Sequence, residues 1–533
     1  MKAGNLLDPG SAQVLGFEWL SGAIAPASPY GDRIFSRLAP FEPGEEAQAQ
    51  ARATAVSRFA AAVDADRIGA LRGALGELPD AAPALARAAM GDALDDAALL
   101  EVRRFCSTIL RIDGLLAQFE ICAAIANDAV RAVAAELAAG GRGELGFYLS
   151  DAFDEELRTA RERLAAEQAQ LEASRGRESE RIARALGRDA IESDEFIVMR
   201  SNLQGALPEG VRVVREAPTY LLCALQYADA TLAVLERRDA AAQALAETEE
   251  RVRIRLSALV AEHAAALDSA AAALGELDVL AGAAAFAQRH RCTEPVIVNE
   301  PLLAFEHARF LPLESELAAV GRRFVPLDLE LREIAVLTGP NMGGKSVALQ
   351  TCGFVALCAA FGLPVPAARA RCALFDHIAW LGMGREAEIG GLLSSFAREV
   401  LELKAILARD SPRLLILADE FARTTTPHEG RALLVALLER LRLRGACGML
   451  ATHLAGIAAA AGVRHFAVRG LRGIPRSGTR AIGEALAALA EAMDYTIGEV
   501  AGDEMPRGDA IALTALLGID AEFIAAAYRA LVE

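Results

Sequence analysis

Ile334-Ala335-Val336-Leu337-Thr338-Gly339-Pro340-Asn341-Met342-Gly343-Gly344-Lys345-Ser346 is the stretch on which the reading of this chain turns. Four apolar residues predict a buried strand, and Gly339-x-x-x-x-Gly344-Lys345-Ser346 then matches the pattern of a phosphate-binding loop that opens a helix, here running through Leu363. Glycines let backbone N–H groups wrap a triphosphate, and the positive end of the following helix faces it. Lys345 supplies a point charge for the β- and γ-phosphates, and the Ser346 hydroxyl is a ligand for Mg²⁺. Only three lysines occur in 533 residues, Lys2, Lys345 and Lys404, so one placed in this loop is informative.

Two further apolar runs end in polar residues. Leu414-Leu415-Ile416-Leu417-Ala418 leads into Asp419-Glu420, and Gly448-Met449-Leu450-Ala451 leads into Thr452-His453. Asp419 is the candidate for the Mg²⁺ shell, Glu420 for orienting or deprotonating water, and His453 for sensing the γ-phosphate. Strands alternating with helices predict an α/β domain, a parallel-rich sheet covered on both faces.

Upstream the grammar is helical. From Ser28 to about Leu149 apolar residues recur at helical spacing, broken at Pro40, Pro43, Pro79-Asp80 and Gly140-Gly141. A charged helix over Asp151–Leu186 and another over Ala228–Ala273 flank strand-like runs at Phe196–Met199 and Val211–Val214, which predicts an arm carrying a small β-hairpin near 195–220. The expected organisation is an all-α region over 1–150, the arm over 151–290, and the α/β domain with C-terminal helices over 291–533.

Composition narrows the class. The formal net charge is −17, so the whole-molecule field opposes a polyanion and nucleic-acid binding needs a local basic surface. No uncharged apolar run reaches the length of a membrane span, and Met1-Lys2-Ala3-Gly4-Asn5 does not open a signal peptide, so the cytoplasm is expected and a membrane partner is not. The eight cysteines form no C-x-x-C pair, which favours reduced, buried thiols over a zinc site or disulfide framework.

Thr338-Gly339-Pro340-Asn341-Met342-Gly343-Gly344-Lys345-Ser346 resembles the loop of the MutS mismatch-repair ATPases, T-G-P-N-M-G-G-K-S, with Asn341-Met342 as the distinguishing pair. Asp419-Glu420-Phe421-Ala422-Arg423-Thr424-Thr425-Thr426-Pro427-His428-Glu429-Gly430 is similar to that family's D-E-x-x-R-G-T-S-x-x-D-G, and Ala451-Thr452-His453 to its A-T-H. Ser394-Ser395-Phe396-Ala397-Arg398-Glu399 is similar to S-T-F-x-x-E, whose serine in such ATPases reaches the partner subunit's nucleotide.

The resemblance implies an ABC-type P-loop ATPase domain behind a helical core and lever, ATP and Mg²⁺ as cofactors, and a homodimer or a heterodimer with a MutS-like paralogue. It implies nucleotide contacts from Gly339 through Ser346 and Val347, from Ser394 or Ser395 in trans, and from Phe324 near the adenine; Tyr495 is a further candidate for stacking there.

Departures from the family qualify the function. The core-like pattern begins by about residue 28, so the expected form is a truncated one without mismatch-reading and connector domains. Phe153-Asp154-Glu155 matches the mismatch wedge only as a string at a helix start. Between Ile191 and Leu225 the arm's tip carries Arg200, Arg212 and Arg215 against Glu192, Asp194, Glu195, Glu209 and Glu216, a net −2, which is a poor funnel for phosphates. Two functions stay open: an ATP-driven dimeric clamp in DNA repair or recombination, with DNA electrostatically disfavoured, and an ATP-dependent factor that remodels or reactivates a partner enzyme, such as an adenosylcobalamin-dependent aminomutase.

Overall fold

Helix-forming alanine, leucine, arginine and glutamate fill the first half of the chain, and buried β-runs punctuate the second. The computed structural model describes residues 1–119, 124–140, 146–191, 193–203, 205–340, 343–382, 395–423, 425–471, 492–500, 511, 514–515 and 519–532.

The chain opens with α1 (Pro9–Val14), α2 (Phe17–Ala23), α3 (Pro29–Phe35), α4 (Glu46–Ala62), α5 (Ala65–Gly76), α6 (Ala82–Ala89), α7 (Asp96–Leu116) and α8 (Asp128–Ala138). The arm follows as α9 (Glu155–Ala185), β1 (Glu195–Met199), β2 (Val211–Glu216), β3 (Tyr220–Leu225) and α10 (Asp229–Arg289). Next come β4 (Val296–Val298), β5 (Leu303–Ala308), α11 (Leu311–Ala319), β6 (Leu327–Leu331), β7 (Ile334–Thr338), α12 (Lys345–Ala360), β8 (Arg369–Ala373) and β9 (His377–Gly382). The remainder holds α13 (Ser395–Ala408), β10 (Leu414–Asp419), α14 (Pro427–Leu443), β11 (Cys447–Ala451), α15 (Ile457–Ala461), β12 (Arg464–Leu471), β13 (Met493–Glu499) and α16 (Ala521–Val532).

Residue contacts divide the chain into two units, each discontinuous in sequence. One comprises Met1–Glu77, Leu115–Ala123 and Ala272–Glu533, and the other Leu78–Gly114 and Ala124–Ala271. Residues 1–77 thus belong with the C-terminal half.

In the first unit a six-stranded sheet runs β13-β12-β7-β11-β10-β9, all neighbours parallel except the β12–β13 pair. Every residue of β7, β10 and β11 is buried, as expected of central parallel strands covered on both faces. One face packs on α13, α14 and α15 through Ile416, Phe421, Leu434, Leu438, Leu450 and Ile457 among others. The other carries α12, which also touches the second sheet, β4-β8-β5-β6, and so is buried nearly all round.

The outer side of edge strand β9 is covered by the chain's first residues. Ile378 donates its N–H to Leu6 O (2.8 Å), Trp380 donates to Ser11 Oγ (2.8 Å), and His377 Nδ1 lies 3.0 Å from Asn5 O. Unpaired sheet edges invite aggregation, and this cover removes the one at β9. A second anchor is Asp278, fully buried on α10, which accepts from Ala27 N (2.9 Å), Ser28 N (2.7 Å) and Ser28 Oγ (2.6 Å) and so holds the start of α3. Gly31 permits this approach, because a Cβ there would lie 2.3 Å from Asp278 Oδ2.

In the second unit the arm's tip is a three-stranded antiparallel sheet, β1-β3-β2. The expected hairpin of Phe196–Met199 with Val211–Val214 is corrected here, since both runs pair with β3 and neither with the other. A two-stranded hairpin is marginal in water. The middle strand lets one face bury Phe196, Val198, Leu221 and Cys223 against Ile182. The long arm helix extends past its expected end at Ala273 to Arg289. Among the described residues it is the one helix long and apolar enough to cross a membrane, but 72% of its apolar window is buried within the protein, as in a core helix.

Candidate functional site

The loop after β7 lies at the C-terminal ends of the parallel strands, where ligands bind in open α/β sheets. Gly344 caps α12 in the left-handed conformation (φ 85°), and a Cβ added there would meet Tyr495 Cδ1 at 3.1 Å. Two reasons therefore call for glycine, backbone conformation and the close approach of the β13 tyrosine. Thr338, at the end of β7, is tied to the neighbouring strand by a buried hydrogen bond between its Oγ1 and His465 Nε2 (2.8 Å).

Lys345 is buried and folds back over the loop. Its Nζ donates to Gly339 O (3.0 Å) and Pro340 O (3.1 Å) and lies 3.8 Å from Glu420 Oε1. Burial pulls its pKa below the ordinary lysine value, against the attraction of Glu420 and Asp419. The next residue, Ser346, is exposed, and Val347 is half-buried.

Asp419 ends β10 and is buried, with Oδ1 lacking a hydrogen-bond partner among the described residues. Burial pushes its carboxyl above the usual aspartate value; a hydrogen bond with Ser346 works the other way, the charge of Glu420 adds to the rise, and Lys345 and Arg423 reduce it. A buried anionic oxygen without a partner is costly, so this position fits a cation. Ser346 and Asp419 are the two oxygen donors that would hold Mg²⁺, a hard ion that keeps some of its waters and binds few protein ligands.

The chain turns sharply after Asp419. Glu420 (φ 51°) and Ala422 (φ 62°) both occupy the left-handed region without being glycine, at roughly 1–2 kcal/mol each. Such strain collects at functional sites, where surrounding bonds hold it in place. Glu420 N donates to Ala451 O (3.1 Å), Arg423 Nη1 donates to Glu420 Oε2 (3.0 Å), and Ala422 N donates to Glu399 Oε2 (2.9 Å). His453, which is exposed, lines a shallow recess together with Glu420, Arg423 and Thr452.

The structure thus brings together Gly339, Pro340, Gly343, Gly344, Lys345, Ser346, Asp419 and Glu420, with His453 on the rim of the Glu420 recess. Phe324 is half-buried in the irregular segment preceding β6. Asn341, Met342 and Ser394 lie outside the described residues, as does the side chain of Ser395, the first residue of α13. Two residues of the cluster went unassigned in the sequence. Arg423 belongs to the quoted D-E-x-x-R string and Glu399 to S-S-F-x-x-E, but nothing in the strings says that Arg423 pairs with Glu420 or that Glu399 holds Ala422.

Comparison with known proteins bears on the same region. The model of MutS domain V matches residues 335–469. An endonuclease MutS2 of Pelotomaculum thermopropionicum is 29% identical over 333 residues, 58% of this chain and 39% of that relative. A DNA mismatch repair protein MutS of Granulibacter bethesdensis is 35% identical over 227 residues, 42% of this chain and 24% of the relative. The Thermus thermophilus protein of the same name is 37% identical over 206 residues, 38% of this chain and 24% of the relative. The chain spans less than two fifths of the length of these curated relatives. The match to MutS domain V spans β7, β10, β11 and the loops that follow them, and with both MutS and MutS2 relatives aligned, this chain is similar to the MutS family over that domain.

Proposed function

We propose that the protein binds and hydrolyses ATP through a P-loop ABC-type domain and uses the cycle to drive a dimeric clamp on DNA in repair or recombination. The observation that carries the ATPase half is the buried Asp419 Oδ1 without a partner among the described residues, beside Ser346 and within the field of Lys345. The DNA half is supported by the relatives' printed names, a DNA mismatch repair protein and an endonuclease.

In this reading Lys345 exchanges its bonds to Gly339 O and Pro340 O for the β- and γ-phosphates, and α12 directs its N-terminal amides at them. Ser346 and Asp419 would hold Mg²⁺, which neutralises phosphate charge when bound. Glu420, braced by Arg423, takes the proton of the attacking water, and His453, which lines the same recess, senses the γ-phosphate. Val347 borders the phosphates, Phe324 or Tyr495 meets the adenine, and Ser394 or Ser395 closes over the nucleotide of a second subunit, either a like copy or a MutS-like paralogue. The cytoplasm is the proposed location.

Purified protein should hydrolyse ATP. Glu420→Gln should bind ATP without turning it over, and Lys345→Ala should lose nucleotide affinity; full turnover in either variant contradicts the assignment.

A protein target is the second reading, favoured by the arm's tip. Its solvent-facing side exposes Ile197, Met199 and Val214, and Arg200 is already committed to Glu216 (2.8 Å). An apolar, net-acidic tip suits a protein client, such as an enzyme to be reactivated, better than a phosphate backbone. Binding of plain, branched and mismatched duplexes at low salt separates the two, since no binding under those conditions removes DNA as the target.

A further inference from the structure

We infer that Glu399 is a positioning residue for hydrolysis, holding Ala422 in its left-handed conformation and thereby aiming Glu420. This inference rests on the ATPase reading given above.

The turn from Asp419 to Arg423 has two non-glycine residues at positive φ, Glu420 (51°) and Ala422 (62°). An alanine left to itself avoids that region by roughly tenfold or more in population. Something must over-determine it. On one side, the carbonyl of Ala422 accepts from Thr425 N (3.3 Å), and a Cβ added at Gly430 would lie only 3.2 Å from it, so α14 closes that side. On the other side, the only side chain recorded on the Ala422 N–H among the described residues is Glu399, at 2.9 Å from one turn inside α13.

The carboxylate is half-buried, and burial raises its pKa above the ordinary glutamate value, with Glu402 adding to the rise and Arg423 opposing it. A surface glutamate with no task would point to water. This one instead gives up hydration to hold a single amide, two residues from Glu420 and adjacent to Arg423, the residue that braces it. A half-buried side-chain acceptor on a strained amide fixes backbone direction, and the direction fixed here is that of the Glu420 carboxylate.

Second-site rescue distinguishes positioning from bulk structure. In full-length protein, Glu399→Ala should lower kcat roughly tenfold while leaving the affinity for a fluorescent ATP analogue unchanged. Glu399→Gln, whose amide oxygen still accepts, should stay within about twofold of wild type. Ala422→Gly placed in the Glu399→Ala background should recover most of the lost kcat, because glycine enters the left-handed region without a holder. Hydrogen exchange of the 420–425 peptide should quicken in Glu399→Ala, with that of β10 unchanged.

Wild-type kcat in Glu399→Ala overturns the inference while leaving the ATPase reading intact. So does a loss of kcat that glycine at 422 does not relieve, or a parallel loss of nucleotide binding. Absence of hydrolysis in the wild-type protein overturns both together.

Discussion

Replacing Asp419 by asparagine removes a charge with almost no change of volume at the least satisfied buried oxygen of the site. Among the described residues the Asp419 Oδ1 has no partner, and burial raises the carboxyl's pKa. An unpaired buried acceptor costs roughly 1–3 kcal/mol, and more when charged. Removing the charge therefore returns on the order of 1 kcal/mol net of the lost attraction to Lys345, or about 2 °C in the transition of the unit that holds the sheet.

The sign with pH follows from linkage. A raised folded-state pKa means that the native state keeps its proton longer than the unfolded chain, so wild-type stability falls as pH rises through that window. The advantage of Asp419→Asn should be present at pH 8 and vanish only below the ordinary aspartate value of 3.8, where both states of the wild type become protonated.

Mg²⁺ and ATP should reverse the order. At a hundredfold excess over its dissociation constant a ligand stabilises by about 2.7 kcal/mol, and the variant should lose most of that gain. Thermal melts at both pH values, with and without Mg²⁺-ATP, test the whole chain of reasoning. A variant less stable than wild type without nucleotide, or equally stabilised by Mg²⁺-ATP, refutes the role given to that oxygen.

Other consequences are as direct. Asp278→Ala strips the acceptor from Ala27 N, Ser28 N and Ser28 Oγ and should destabilise the protein by about 1–3 kcal/mol for each donor left unsatisfied, read as a drop in the denaturant midpoint, whereas an unchanged midpoint contradicts the anchor. Gly448→Ala places a Cβ 1.9 Å from Ile416 O between β10 and β11, so soluble, folded material at wild-type yield argues against that strand register. The thiols of Cys106, Cys372 and Cys447, each pushed up to about 12 by burial, should stay unlabelled by iodoacetamide at pH 8 until the protein unfolds.

Legibility followed the kind of signal each element leaves in the sequence. The strands at 334–338, 414–419 and 447–451 stood out because a central parallel strand is apolar on both faces and stops abruptly at the polar residues of the site. The arm was visible through its charge. Its third strand was not, since Tyr220-Leu221-Leu222-Cys223-Ala224-Leu225 shows no period-two alternation and runs almost directly into the alanine-rich helix, although Pro218 marks the turn before it. By contrast, Leu327-Asp328-Leu329-Glu330-Leu331 alternates with perfect period two, buried and exposed in turn, and that strand was there to be read.

Within the site, residue types were legible and backbone geometry was not. Nothing in Glu420 or Ala422 announces a left-handed conformation, because glycine is the residue that usually marks it. The Glu399–Ala422 bond joins positions 23 apart, and it depends on how α13 lies against the sheet.

The cover over β9 also bears on the order of events during synthesis. Asn5 and His377 lie 372 positions apart, and Ser11 and Trp380 lie 369 apart. The segment around Asn5–Ser11 must therefore wait until the segment around His377–Trp380 has emerged before meeting its partners. Contacts of such long separation slow folding and leave apolar segments unprotected meanwhile. Leu6, Leu7, Leu15 and Leu20, all buried in the finished protein, are then a natural resting place for a chaperone on the nascent chain.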